Sequence, residues 1–234
     1  MRRSSRKIDF SGNIIGLLQG ASAKEDNYKS ILNVRYSQYI KTDQDLRYYI
    51  RLGGPRVNQW ANRLFVGAGF PYGNSIQLPY IKQFYSGGTN SLRGFRARTV
   101  GPGTYRPVVD SNSFFPDQTA DIKLELNSEL RFKIVSILQG ALFVDAGNIW
   151  LKNESNYKQG AKFTSSFMKE LAVDAGIGLR FDLTILVVRT DFAIPLRKPW
   201  YPENERWVID KFDFSSSEWR KENIVFNLAI GMPF

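Results

Sequence analysis

The sequence contains no histidine and no cysteine, so proton transfer, nucleophilic attack and metal binding would fall to carboxylates, lysines and tyrosines. Histidine is the commonest general base and metal ligand, and cysteine supplies the thiolate of nucleophiles and of most structural zinc sites. Most enzyme chemistries fall away on that ground, and no catalytic residue, metal site or cofactor is expected. Two acids and one glycine-rich segment stand out instead. Glu129 and Asp145 fall on the polar sides of neighbouring alternating segments, and paired carboxylates suit the planar, multi-donor fork of an arginine. The segment Gly87-Gly88-Thr89-Asn90-Ser91-Leu92-Arg93-Gly94-Phe95-Arg96-Ala97-Arg98 is the glycine-rich one. A phosphate cradle would require a following Gly-Lys-Ser/Thr and the start of a helix, and neither is there. A surface turn with solvated arginines fits the same residues, and composition does not exclude it.

The elements that would position these residues are strands. From Asp121 to Ile134 one side reads Asp121, Lys123, Glu125, Asn127, Glu129, Arg131, Lys133 and the other Ile122, Leu124, Leu126, Ser128, Leu130, Phe132, Ile134. Residues 171–182 alternate in the same way, and Phe226, Leu228, Ile230, Met232 and Phe234 lie on the apolar side of the last segment. This period of two predicts eight long strands, roughly 7–19, 36–51, 60–71, 120–134, 136–150, 170–182, 184–197 and 223–234. Gly53-Gly54-Pro55, Val135-Ser136 and Leu183-Thr184 mark short turns, while 20–35, 72–119, 151–169 and 198–222 read as long polar loops. Long loops at one end and short turns at the other are the layout of a transmembrane barrel.

A soluble sandwich also alternates, so three further features weigh in. The strands are long enough to cross a bilayer when tilted, which takes about 9–11 residues. Trp60, Tyr72, Trp150, Trp200, Tyr201 and Phe234 sit near strand ends, as interfacial aromatic girdles do. Glycines recur inside strands, as at Gly67, Gly69, Gly140, Gly147, Gly176 and Gly178, a feature that accompanies bends in a barrel wall. No stretch approaches the ~20 apolar residues of a spanning helix. The mean hydropathy of −0.31 does not count against a barrel, in which only alternate residues meet lipid. The start carries Arg2, Arg3, Arg6 and Lys7 and runs to Ala21-Ser22-Ala23, an outline shared with signal peptides, but Asp9, Asn13 and Gln19 interrupt it, and no export signal is read there.

The string Phe84-Tyr85-Ser86-Gly87-Gly88-Thr89-Asn90-Ser91-Leu92-Arg93-Gly94-Phe95, continuing to Gly101-Pro102-Gly103, resembles the sixth extracellular loop of the Omp85 superfamily, whose signature is its Arg-Gly-Phe core. Phe143-Val144-Asp145-Ala146-Gly147-Asn148-Ile149-Trp150 is similar to that family's Phe-x-Asp-x-Gly-x-x-Trp strand, and the last segment, ending in Phe234, looks like an outer-membrane β-signal. The three features fall in the family's order across essentially the whole chain. The resemblance implies an all-β fold, an antiparallel transmembrane β-barrel, of which residues 1–234 supply about eight strands corresponding to the C-terminal half of a sixteen-stranded barrel.

An outer-membrane location and a role in insertion or translocation of polypeptides, of the BamA/TamA type, follow from the resemblance. The partners it implies are outer-membrane lipid, client outer-membrane or secreted polypeptides and other assembly-machinery subunits. It further implies that the loop 72–119 folds inward and that Arg93, with Gly94 and Phe95, docks on Glu129 and Asp145. Phe226, Leu228, Ile230, Met232 and Phe234 would form the signal and the weak seam strand. Eight strands alone close only a barrel filled by side chains, and an unclosed half exposes strand edges that lipid does not tolerate. A fragment of a longer protein, or closure by another chain, is therefore expected.

The 32 Lys+Arg against 22 Asp+Glu have a simple use in loops that meet anionic headgroups, at Lys24, Lys152, Lys158, Arg197, Lys198, Arg206, Lys211 and Arg220. Nucleic acid is not expected, since acids are mixed with bases on every polar side and no basic stripe forms. A barrel hydrolase would want a histidine base. A passive porin-like channel is the remaining alternative, although it has no use for an Arg-Gly-Phe loop.

Overall fold

The computed structural model describes residues 2–12, 14, 16, 18, 29–53, 58–107, 118–183 and 185–234. Eight antiparallel strands form one sheet in simple meander order: β1 (Arg2–Ser11), β2 (Tyr39–Leu52), β3 (Asn58–Pro71), β4 (Ile122–Val135), β5 (Leu138–Trp150), β6 (Ala172–Asp182), β7 (Val187–Arg197) and β8 (Val225–Ile230). The sheet is open, with β1 and β8 at its edges. Short connections join β2 to β3, β4 to β5 and β6 to β7, and long ones join the rest. Of the expected turn residues, Gly54, Pro55 and Thr184 lie outside the described residues, as do Asn13, Gln19, the 21–23 stretch and Lys24.

Alternation becomes decisive once burial is added. On β4 the polar side is the buried one: Glu125 and Glu129 are 0% exposed, with Asn127 and Arg131 close behind. The apolar side faces out, and the register aligns it across the sheet. Ile50, Trp60, Leu130, Leu142, Ile177, Phe192 and Phe226 pair in one continuous row from β2 to β8. Phe192 and Phe226 touch at a ring distance of 5.0 Å. A soluble sandwich buries such a row, because each fully exposed large side chain forgoes about 1.5–3 kcal/mol. A wall that buries its acids and exposes its leucines is built for lipid on the apolar side.

The structure corrects four expectations. The first strand is Arg2–Ser11 rather than 7–19, because Gly12 turns the chain in the left-handed region (φ +67°), where a Cβ would stand 2.5 Å from the Ser37 carbonyl oxygen. The last strand covers Val225–Ile230 rather than 223–234: Asn223 closes a short helix, α1 (Ser217–Asn223), and Gly231 (φ +91°) ends the pairing. Trp150 is no girdle residue. It is 0% exposed, edge-on to Phe163 and Phe167, with its Nε1 donating to Glu170 at 2.6 Å. Arg197 and Lys198 are likewise buried rather than turned to headgroups: Arg197 donates to the Leu171 and Lys169 carbonyls, and Lys198 to Glu222 at 3.1 Å.

Beneath the long β3–β4 connection, apolar side chains cluster in two small groups rather than one core. Leu92, Phe95, Val100 and Ala172 form one with Trp200; Phe84, Ala120 and Ile149 form the other with Phe65 and Leu151. Both lie between the connection and the polar face.

Candidate functional site

The site assembles where the β3–β4 connection crosses the polar face. Strand parity turns Asn127 and Glu129 of β4, Asp145 of β5, Asp174 and Arg180 of β6, Arg189 and Asp191 of β7 and Asn227 of β8 to the same side. Register sets Asn127 opposite Asp145, Asp145 opposite Asp174, and Asp191 opposite Asn227.

Arg93 enters this surface 1% exposed. Its Nε donates to Asp145 Oδ2 at 2.8 Å and its Nη2 to Asp145 Oδ1 at 3.0 Å, a fork-on-fork pairing. Nη1 donates to Glu129, and the guanidinium lies 3.5 Å from the Phe143 ring centroid. Burial works against the arginine's charge, but the carboxylates of Asp145 and Glu129 outweigh it and raise its pKa above the usual arginine range. The Arg93 backbone is held too: its N–H donates to Asp145 Oδ2 at 3.3 Å, and its carbonyl accepts from Asn227 Nδ2 at 2.9 Å.

Glu129 serves three arginines. Besides Arg93 it accepts from Arg131 Nε at 2.7 Å and from Arg180 Nη2 at 3.0 Å. Arg180 also reaches Asp191 at 2.6 Å, and Asp191 pairs with Arg189 at 3.3 Å. Arg189 in turn donates to the Thr89 carbonyl and to Asn90 Oδ1, both at 2.8 Å. Asn127 donates to the Ser91 carbonyl and to Asp145 Oδ1, both at 3.0 Å, and Ser91 bonds Glu125. The loop from Thr89 to Arg93 is thus tied to β4, β5, β7 and β8 at once.

Gly94 is required by close approach. A Cβ there would stand 2.4 Å from Asp174 Cβ and 3.1 Å from the Ile194 carbonyl carbon. Phe95, buried, packs edge-on to Trp200 at 6.0 Å. The β8 side chains separate into two groups. Phe226, Leu228 and Ile230 are more than half exposed on the lipid side, and Met232 is partly exposed. Phe234 departs from the alternation expected of it: it is 6% exposed, its carbonyl accepts from Arg131 at 3.4 Å and its ring lies 5.5 Å from that guanidinium.

Sequence reasoning missed Arg180, Arg189, Asp191, Asp174 and Asn127. The available signal was a polar or small residue at alternate positions of strands that are mainly apolar on the other side. Among the described residues, no group of three or more acids is arranged to hold a metal ion. No helix among them is long and apolar enough to cross a membrane, which has no bearing on strands.

An inside-polar, outside-apolar antiparallel wall with a loop pinned to its polar face defines an integral membrane β-barrel protein. Residues 30–231 match the Omp85 superfamily domain, and the chain belongs to that superfamily, whose members are integral outer-membrane barrels. The outer membrane protein assembly factor BamA of Neisseria meningitidis serogroup B (strain ATCC BAA-335 / MC58) is 29% identical over 164 residues, covering 64% of this chain and 20% of that protein. The crystal structure of BamA from Haemophilus ducreyi lacking POTRA domains 1-3 superposes with a TM-score of 0.55 at 18% identity, covering 86% of this chain and 36% of that one. CdiB from Acinetobacter baumannii gives a TM-score of 0.46 at 16% identity, covering 84% and 27%. The chain therefore spans about a fifth of the curated relative's length and about a third of the solved one's.

Proposed function

We propose that residues 1–234 are a partial outer-membrane barrel that takes part in inserting or translocating polypeptides, in the manner of its assembly-factor relatives. The buried Arg93 cluster carries this reading. A passive channel gains nothing from holding a loop against its wall with one arginine, two carboxylates and a matched ring of further charges. A barrel that must open and close a seam does, because the docked loop ties the edge strand β8 to β4, β5 and β7 through side chains and leaves the outer backbone groups of that edge free to pair. The chemistry needed is strand exchange, not bond making. An exposed edge offers unpaired backbone groups to an incoming strand, and main-chain hydrogen bonds supply the affinity. No enzyme activity is assigned.

In the same reading Arg93, Gly94 and Phe95 dock the loop on Glu129 and Asp145. Phe226, Leu228, Ile230, Met232 and Phe234 form the signal of the seam strand, the first three facing lipid and Phe234 anchoring its end under Arg131. The partners are outer-membrane lipid, client polypeptides and other subunits of an assembly machinery.

The test is assisted folding in vesicles. Protein reconstituted in liposomes should speed the appearance of folded client barrel, read as heat-modifiable migration. A disulfide placed between the seam strand β8 and the strand that closes on it should abolish the gain until reduced. Steady single-channel conductance with no acceleration of client folding would favour the passive channel and sink the proposal.

A further inference from the structure

We propose that the short-turn end of the polar face is a binding site for an acidic polypeptide segment. A cleft of about 400 Å³ opens there, within the ~300–1,000 Å³ typical of ligand pockets. Arg3, Arg47, Arg51 and Arg131 line it with Tyr49 and Phe234, and no aspartate or glutamate among the described residues does. Two of the arginines are committed elsewhere, Arg47 to Asp45 at 2.9 Å and Arg131 to Glu129 at 2.7 Å. Arg3 and Arg51 have no ion-pair partner among the described residues and stand exposed.

Register sharpens the point. Arg3 lies directly opposite Arg47, and Arg47 directly opposite Arg63, so three guanidinium groups share one row across β1, β2 and β3. Like charges set directly opposite one another destabilise a sheet. Asp45 bridges Arg47 and Arg63, with Glu125 at 3.7 Å adding to Arg63, and no acid among the described residues pairs with Arg3. An anion lodged between Arg3, Arg47 and Arg51 removes that repulsion.

Position and lining select the anion. The cleft is on the polar face, away from the row of exposed leucines and phenylalanines, so a lipid headgroup would reach it only by leaving its bilayer. Tyr49, Met232 and Phe234 add apolar contact at the scale of peptide side chains, and arginine pairs carboxylates in forked geometry. A chain with glutamates at alternate positions meets both demands. The inference rests on the transmembrane reading of the wall but not on insertion activity, so its test measures binding alone.

A fluorescein-labelled peptide of alternating glutamate and serine is titrated into the purified protein in zwitterionic nanodiscs and followed by anisotropy. Saturable binding is expected, weakening roughly tenfold between about 50 and 300 mM salt as exposed charges are screened. Arg3→Gln with Arg51→Gln should weaken it by a further factor of roughly ten. Among the described residues neither side chain has an ion pair to lose, so the fold should persist, as heat-modifiable migration would show. The charge-keeping pair Arg3→Lys with Arg51→Lys should retain most of the affinity. Equal binding by the glutamine variant, equal binding of a glutamine–serine peptide, or complete displacement by inorganic phosphate at modest concentration would each overturn the proposal, the last by reducing the cleft to a bare anion site.

Discussion

Replacing Arg93 by alanine tests the docked loop most directly. The substitution removes both donors of the fork on Asp145 and one of the three arginines on Glu129. Glu129 keeps Arg131 and Arg180, so it remains paired. Asp145, 0% exposed, is left with the Asn127 amide at 3.0 Å as its side-chain donor, and Asp174 stands directly opposite it. Stranding one partner of a buried pair costs about 3–5 kcal/mol. At ~1.4 kcal/mol per tenfold, that is a shift of roughly two to three and a half orders of magnitude toward the undocked loop.

Since the sequence has no cysteine, Ser86→Cys supplies a sole thiol to read this shift. Ser86 is 0% exposed and its hydroxyl has no hydrogen-bond partner among the described residues, so the exchange disturbs little. Its maleimide labelling rate reports the fraction undocked when opening is fast compared with labelling. Arg93→Ala should raise that rate by at least roughly a hundredfold. Pairing it with Asp145→Ala should recover part of the loss, because a pair removed from both sides leaves no stranded charge. A labelling rate unchanged within a factor of about three, in a variant that still shows heat-modifiable migration, would refute the claim that this arginine holds the loop.

Gly94→Ala should undock the same loop by another route, since its Cβ has nowhere to go against Asp174 and Ile194. A cost of about 1–3 kcal/mol is expected, visible in the Ser86→Cys labelling rate. Leu228→Arg on the lipid side of β8 should cost about 2–4 kcal/mol near the bilayer midplane, lowering the yield of folded protein in vesicles. Trp150→Ala, which empties a fully buried site between Phe163 and Phe167, should lower the urea midpoint by an amount equivalent to about 3–5 kcal/mol. Phe234→Ala should be milder on membrane insertion than Phe226→Ala, because Phe234 packs on Arg131 rather than facing lipid. Parallel vesicle-folding yields of the two variants decide the point.

Much of the wall was legible because a strand's side chains alternate by geometry. A polar side chain at every second position from Asp121 to Lys133, charged at all but Asn127, marks a strand wherever that segment ends up, and the same parity puts Glu129 and Asp145 on matching sides of β4 and β5. The spacing of long and short connections likewise follows from the chain alone. Parity is silent on which side is buried, however, because it is the same for a sandwich and for a barrel wall. Only the assembled sheet shows Glu129 covered and Leu142 in the open.

Strand ends were misplaced at Gly12 and Gly231 because a glycine tolerates both strand and left-handed backbone, and its neighbours decide. Trp150 and Phe234 looked like interfacial aromatics from position along the strand, but the partners that bury them, Phe163 and Phe167 in one case and Arg131 in the other, come from other parts of the chain. The charge network has the same character. Arg93, Glu129 and Asp145 stand out singly as residue types. That Arg131 and Arg180 share Glu129, that Arg189 reaches Asn90, and that Asp174 lies against Gly94 depend on register across five strands and on the path of one loop. Local pattern determined the strands and their two faces; the tertiary structure decided which face meets lipid and which charges meet each other, because burial and pairing are set by neighbours distant in sequence.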